Sequence, residues 1–585
     1  MNLQRKLANL LATTKRKRPY YCEVEYLENT STGSTRNWIN TGIVTDNSTK
    51  WEVRVAYNNT NTGKLMGSGF AGNTRFNLGI ESNKFRFGFA TTWFDADSNI
   101  STPDTDPHTW IMDASTKTFS IDGYSVTRDD LALPDSSIYP ITLFGRSNNN
   151  SGTTENGNTA TGKIYYSKIW QNGKLVSDLI PVLDNDMTPC MYDRVSGELF
   201  YNMNSSGAGF IAGRQIHRVE YLESTGTQWI DTGVSIDTST DIIDFDFELT
   251  DTRLYKWFFG EYDENKRIGL GSGDGENKRN YLYQQSATKI HDSEMYGARH
   301  NFYADQTGGY LNGIKIRSYV SFASTATIYL FNLNIESTSD YRCASKIYKY
   351  KHYRNNALIR DFIPMIDENG VGALFDKVTH TIYDNTGTGA GFNYPPVQLE
   401  YIESTGEQYI DTEYKPVPAT TKLEFYFSPT NITGNYFLFG SRPDTAAASQ
   451  YTCTAYFSSG AVRQDWAGIN ASFPTTSIGN KYLYTAYNNT VSLNTDTVTG
   501  TNTRSTTRLD YNLLLFTVNT AGAIDTRRYI GRVYYTKLWD DSTLVRNLIP
   551  CYKDGQVGMW DKVNSVFYPN VGTGTFTAGL VKENK

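Results

Sequence analysis

The sequence has little of what marks a disulfide-stapled, membrane-spanning or metal-binding chain. Its 585 residues include only five cysteines, Cys22, Cys190, Cys343, Cys453 and Cys551. They lie far apart in no CxxC spacing, which excludes a disulfide framework and a zinc ribbon and points to reduced thiols. No apolar run approaches the roughly 20 residues of a spanning helix. Charged residues make up only 20%. Residues 1–18 hold Arg5, Lys6, Lys15, Arg16, Lys17 and Arg18 with no acid, so the remainder is more acidic than the overall charge of −6. Such a body lacks the Lys/Arg clusters that phosphate contacts need, and no nucleic-acid partner is expected. The six histidines show no HxxxH or HExxH spacing, and no Ser/His/Asp set stands out. The start is not a secretory signal: Leu7 to Ala12 is interrupted by Asn9 and followed by a basic run. No membrane partner is expected either.

Aromatics, by contrast, are plentiful: 42 Tyr, 29 Phe and 10 Trp, with 48 Gly and abundant Thr, Ser and Asn. These are strand and turn formers, and their weight excludes a disordered chain. The chain also repeats itself. VEYLENTSTGSTRNWINTG from Val24 returns as VEYLESTGTQWIDTG from Val219 and LEYIESTGEQYIDTE from Leu399. Downstream, KIYYSKIWQNGKLVSDLIPV from Lys163 returns from Lys346 and Arg532, and CMYDRVSGELFYN from Cys190 returns from Ala373 and Gly558. Each copy ends in a Gly/Thr-rich tail. Three cassettes in one order, three times over, define three homologous domains, 21–213, 214–395 and 396–585, after an N-terminal segment 1–20. Within them alternation dominates, as in Lys422-Leu-Glu-Phe-Tyr-Phe, and no long 3.6-residue stripe is present. That predicts all-β sandwiches.

The wording of the cassettes resembles laminin-G-like, concanavalin A-like jelly rolls, in the form found in proteins of gut bacteriophages (crAss-like phages) and their Bacteroidales hosts. The likeness covers all but the first ~20 residues and says little about ligand. It implies three tandem jelly-roll β-sandwiches in a non-enzymatic virion protein, a head or tail fibre or capsid decoration. Such a protein is made in the host cytoplasm, is a homo-oligomer, and adheres to host-surface or mucus glycans. A carbohydrate-active enzyme or its binding accessory is the alternative. Copy 1 departs most, with an insertion between Glu28 and Trp38 and with Asn40 where the others have Asp231 and Asp411.

Leu3, Leu7, Leu10 and Leu11 follow an amphipathic helical stripe, and Lys15–Arg18 form a basic run. With Arg5 and Lys6 they make a candidate anchor onto a capsid or tail protein, Leu side chains in a groove and cations at an acidic rim. Asp244-Phe-Asp246-Phe-Glu248 resembles the ExDxE strand of concanavalin A-like glucanases, whose three carboxylates share one face. The other copies lack it, so a solvated face is expected and no catalytic residue is assigned. Gly67-Ser-Gly69-Phe-Ala-Gly72 and Gly269-Leu-Gly-Ser-Gly273 lack a βαβ context and are expected in hairpin loops. Jelly rolls of this type often hold calcium near the binding rim, so Ca2+ is the one cofactor considered. Candidate oxygens are at Asp95, Asp97, Asp263, Glu264, Asp274 and Glu276. Trp38, Trp229 and Tyr409 share one repeated position, as do Trp170, Tyr353 and Trp539, and both sets are expected in the core. Trp93, Trp110, Trp257 and Trp466 have no evident repeat partner and are the candidates for stacking on sugars.

Overall fold

The computed structural model describes residues 22–582 except 32–36, 60–63, 70–71, 82, 97–102, 135–138, 148–159, 205–208, 252–255, 264–265, 272–279, 285–286, 292–295, 319–320, 336–341, 445–448 and 502. The expected N-terminal helix and its anchor residues, Leu3 to Arg18, lie outside the described residues. Each repeat contributes one large and one smaller antiparallel sheet. In the first, the large sheet runs Tyr124–Thr127, Thr118–Ile121, His108–Asp113, Lys50–Tyr57, Gly162–Gln171, Lys174–Leu183, Pro189–Asp193, Leu199–Phe200. The smaller runs Ile39–Val44, Pro140–Leu143, Lys64–Ser68, Arg75–Glu81, Lys84–Ala90, Thr92–Asp95. The other two repeats reproduce this order, the third adding Asn519–Thr520, parallel to Asn435–Arg442, and Ala523–Ile524 to its smaller sheet. The described residues fall into two compact units: one holds the first two rolls (up to 218, 223–368 and 372–392), the other 219–222, 369–371 and the third roll from 393.

Period-two alternation decides which side chains are buried. In the central strands Lys50–Tyr57, Asp241–Leu249 and Thr421–Pro429, the inward set is Trp51, Val53, Val55; Ile243, Phe245, Phe247; and Leu423, Phe425, Phe427, all at most 1% exposed. They meet the smaller sheet through ring contacts such as Trp51–Phe76 at 6.5 Å, Phe245–Phe259 at 5.3 Å and Phe425–Phe439 at 5.2 Å. Each such burial contributes roughly 1.5–3 kcal/mol. Volume is traded at equivalent sites: Trp51 faces Ser167, donating its indole N–H to the hydroxyl at 2.9 Å. The second roll has Ile243 with Tyr350 at those positions, and the third Leu423 with Thr536.

The repeated cassettes are explained by backbone hydrogen bonds. Asn202, Asn385 and Asn570 accept the backbone N–H of Trp38, Trp229 and Tyr409 at 3.3, 3.1 and 3.1 Å, tying each tail to its own opening motif. The residue after each asparagine donates its N–H back to the same aromatic's carbonyl. Glycine follows because the tail lies on backbone: a Cβ at Gly387 or Gly572 would sit 2.2 Å from the carbonyl oxygen of Thr227 or Glu407. Asp193, Asp376 and Asp561, 3%, 0% and 0% exposed, each accept two backbone N–H bonds, from Asp178 and Val195, Asp361 and Val378, and Asn547 and Val563. Asn40, Asp231 and Asp411 all close the same turn onto the N–H two residues on. The departure at Asn40 therefore keeps the bond that matters.

Rolls 1 and 2 join through the segment after Cys22. Val24 bridges Gln215 antiparallel, and His380 of the second roll reaches across to the Glu25 carbonyl at 2.9 Å and the Glu23 carboxylate at 3.1 Å. Burial opposes ionisation of Glu23, but His380 and Arg218 hold its carboxyl below the usual range. His217, at the same junction, is pushed down to about 4 by burial, against the pull of Asp367.

Two outcomes follow. Asp561→Ala leaves two buried N–H donors unpaired, so its roll should lose about 2–3 kcal/mol in urea unfolding, while Asp496→Ala, at the exposed start of Asp496–Thr499, changes nothing measurable. Above pH 6.5 the His217 ring is neutral in folded and unfolded chain alike. On acidification the unfolded chain takes the proton first, so stability should fall by about 3 kcal/mol between about pH 6.5 and 4. His217→Gln should remove that part of the pH slope.

Candidate functional site

Alternation does set Asp244, Asp246 and Glu248 side by side on the outer face of the large sheet. Each is matched by a cation from a flanking strand. Lys349 donates to Asp244 at 2.8 Å, Arg299 to Asp246 at 2.7 Å and Lys346 to Glu248 at 3.0 Å, while Asn301 and the Tyr348 hydroxyl satisfy remaining oxygens. Burial works against ionisation of Glu248, yet Tyr348 and Lys346 hold its carboxyl low. A general acid needs the opposite, a carboxyl kept protonated by its surroundings. This row is an ion-paired surface.

All four tryptophans expected to stack on sugars are corrected, three of them by burial. Trp110 and Trp466 are fully buried and Trp257 is 4% exposed. Trp110 sits among Phe85, Phe87 and Tyr57 at 5.2, 5.3 and 6.4 Å, leaving no ring face for a ligand. Pairing registers also show that Trp110 has repeat partners, Phe302 and Tyr484, each opposite the same central-strand position. Loops of unequal length hid that equivalence, and only the aromatic class is shared. The repeated aromatics reverse the expectation too. Trp38, Trp229 and Tyr409, and Trp170, Tyr353 and Trp539, are half-buried rather than core. Lys50 lies over Trp170 at 5.0 Å and Lys422 over Trp539 at 4.2 Å.

Trp93 alone of the four keeps a place at the surface. Its ring lies over Gly88, where a Cβ would come within 2.6 Å, so glycine makes the floor beneath it. Arg75 and Arg146 stand over the ring at 5.6 and 6.0 Å. Burial and the neighbouring Arg146 charge hold Arg75 below the usual guanidinium range. Arg146 is itself only 5% exposed and Arg75 donates to the Thr91 carbonyl at 2.8 Å, so the indole is held between glycine and cations and has no open face for a ligand. Arg75 follows the predicted glycine-rich loop. Only part of the glycine-rich stretches falls in connections: Gly67 lies inside the strand Lys64–Ser68, paired with Asn77, and Gly269 and Gly271 lie inside Lys266–Gly271, whereas Gly69, at positive φ, follows its strand.

Of the calcium candidates, only Asp95 has a described side chain. Both oxygens of Asp95 are taken, by Arg86 at 2.8 Å and Lys84 at 2.6 Å. Asp263 ends the strand Trp257–Asp263, while Asp97, Glu264, Asp274 and Glu276 lie outside the described residues. No cluster of three His, Cys, Asp or Glu occurs among the described residues. His108 is instead held between Asp104 and Asp122: burial opposes its protonation, but the two carboxylates raise it above the ordinary range. All five cysteines are free thiols.

No family model and no curated protein matches the chain. Among solved structures, it is similar to the mouse laminin α1 chain, domains LG4–5, at 9% identity and TM-score 0.27, over 63% of this chain and 95% of that one. The LG1–3 region of the laminin α2 chain gives 8% and 0.23 over 96% and 100%. A point mutant of NanB sialidase from Streptococcus pneumoniae gives 9% and 0.19 over 94% and 92%. Overlap this loose adds nothing to the reading of the site.

Burial separates the tryptophans by experiment. Trp110→Ala should cost its roll about 3–5 kcal/mol in chemical denaturation. Trp93→Ala, losing only surface ring contacts, should stay within about 1–2 kcal/mol of the parent.

Proposed function

We propose that the chain is a non-enzymatic structural protein of a bacteriophage particle, a head fibre or capsid decoration or a tail fibre, displaying tandem β-sandwich rolls for glycan adhesion. The observation that carries the non-enzymatic part is the pairing of Asp244, Asp246 and Glu248 with Lys349, Arg299 and Lys346. The one carboxylate row of glycosidase pattern is neutralised, and the other two rolls replace it with Glu52, Arg54, Ala56 and Glu424, Tyr426, Ser428. The phage context rests on the cassette wording alone.

In this reading the basic, leucine-striped residues 3–18 dock onto a capsid or tail protein and the rolls project outward. Several weak sites per chain, multiplied by the copies in an oligomer, gain retention through effective concentration.

Immunogold labelling of purified phage particles with antibody against residues 214–394 tests it. Gold at the capsid or the tail is the expected result, and its position chooses between decoration and tail fibre. Particles without gold would overturn the virion reading.

A further inference from the structure

The outer face of the large sheet carries a second aromatic surface, and a β-bulge builds it. In the third roll Tyr426 pairs with Tyr535, and Phe427 with Val533, leaving Tyr534 as the extra residue. A bulge lets two successive side chains share one face. Tyr401, Tyr534, Tyr426 and Tyr535 consequently stand in a row, with successive ring centroids 5.8, 5.1 and 5.5 Å apart. Tyr534 is 7% exposed, and the other three are half-buried. Among the described residues no protein group hydrogen-bonds the hydroxyls of Tyr401, Tyr426 or Tyr535.

Charge around the row is balanced. Lys481 pairs with Glu400 at 3.1 Å and lies over Tyr534 at 4.3 Å. Arg532 pairs with Glu403 at 2.8 Å and lies over Tyr401 at 4.4 Å. Lys537 sits 3.9 Å from Glu424 and over Tyr535 at 5.3 Å. No cation lies over Tyr426 among the described residues. A surface whose cations are each matched by a carboxylate has no excess positive charge for a polyanion, which argues against nucleic acid and acidic glycans. The same bulge recurs at Tyr165 and Tyr348, but the position of Tyr426 holds Arg54 and Asp246 there, so the full row belongs to the third roll.

We propose that this row binds an extended neutral polysaccharide. Successive pyranose rings lay their C–H faces along the tilted tyrosines, centred on Tyr426, and the flanking Lys, Arg and Glu side chains hydrogen-bond sugar hydroxyls. The ring spacing suits adjacent sugars of one chain, and an aromatic surface of this kind on a folded protein marks a binding site. The inference names a ligand class and a site for the adhesion reading above and rests on it.

Affinity electrophoresis of the full chain tests it, in gels containing mixed-linkage β-glucan, xyloglucan, galactomannan or α-glucan, with polygalacturonate as the anionic comparison. Retardation is expected in at least one neutral gel and not in polygalacturonate. Tyr426→Ala should weaken it about tenfold, with Tyr535→Ala as the second variant and Tyr124→Ala, on an exposed hairpin of the first roll, unchanged. Retardation by no neutral polysaccharide, or equal retardation of the Tyr426→Ala and parent proteins, would overturn the assignment. So would a concentration-dependent dimer, seen in sedimentation, that Tyr426→Ala dissolves, since the row would then belong to a second copy. Particles labelled with gold but no retardation sink this inference alone; retardation without gold sinks only the virion placement.

Discussion

One hydrogen bond per roll holds the rest of the architecture in place: an asparagine side-chain carbonyl accepting the backbone N–H of the first aromatic after the opening motif. Asn570 and Tyr409 are 161 residues apart in sequence, so the bond joins the two ends of a roll across the whole intervening sheet pair. Once it forms, the tail must lie on the opening turn, and only glycine fits at Gly387 and Gly572. The tail then continues into the strand pair Thr577–Ala578 with Ile402–Glu403, which completes the edge of the large sheet. A bond worth about 1 kcal/mol by itself matters here because it is made together with its reciprocal backbone partner and an edge strand.

Much of this was legible in the sequence and some of it was illegible for definite reasons. Alternation in Lys422-Leu-Glu-Phe-Tyr-Phe named the buried set of the third roll correctly, because a half-buried strand has no other way to divide its side chains. The cassettes marked the tied positions, although not the bonds. The argument that repetition means core and singularity means binding failed at the tryptophans. Repetition tracked backbone ties near the surface, at Trp38, Trp229 and Tyr409, whereas the core tolerated exchange of one aromatic for another, Trp110 for Phe302 or Tyr484. A packed interior asks for volume and rejects polarity, but it does not require one residue. His380 was unreadable for a different reason: its partners Glu23 and Glu25 lie in another roll, more than 350 residues away, and no periodicity reports such a contact.

The bulge shows how a correct rule hides a site. Applied strictly, period two sends Tyr534 and Tyr535 to opposite faces and leaves each isolated. The doublet KIYY, KIYK and RVYY was in plain view at equivalent places, but its meaning depends on one inserted residue in the pairing, which only the register reveals. Bulges are common where a sheet re-aims side chains for use.

The two faces of the large sheet are under unequal constraint, and that inequality is where specificity can arise. Inward positions must fill a shared volume against the smaller sheet, so Trp51, Ile243 and Leu423 change only with compensation opposite. Outward positions have no such partner, and the three rolls use them differently. The second pairs Asp244, Asp246 and Glu248 with cations, and the first buries Tyr165 and Tyr166 to 6% and 5% exposure. The third sets the pair Tyr426 and Tyr535 where the second has Asp246 and Lys349, and that exchange turns an ion-paired surface into an aromatic one on the same backbone register. A scaffold whose fold is held by inner packing and terminal ties can carry unrelated surfaces in successive copies, so its function has to be read roll by roll from the outer face.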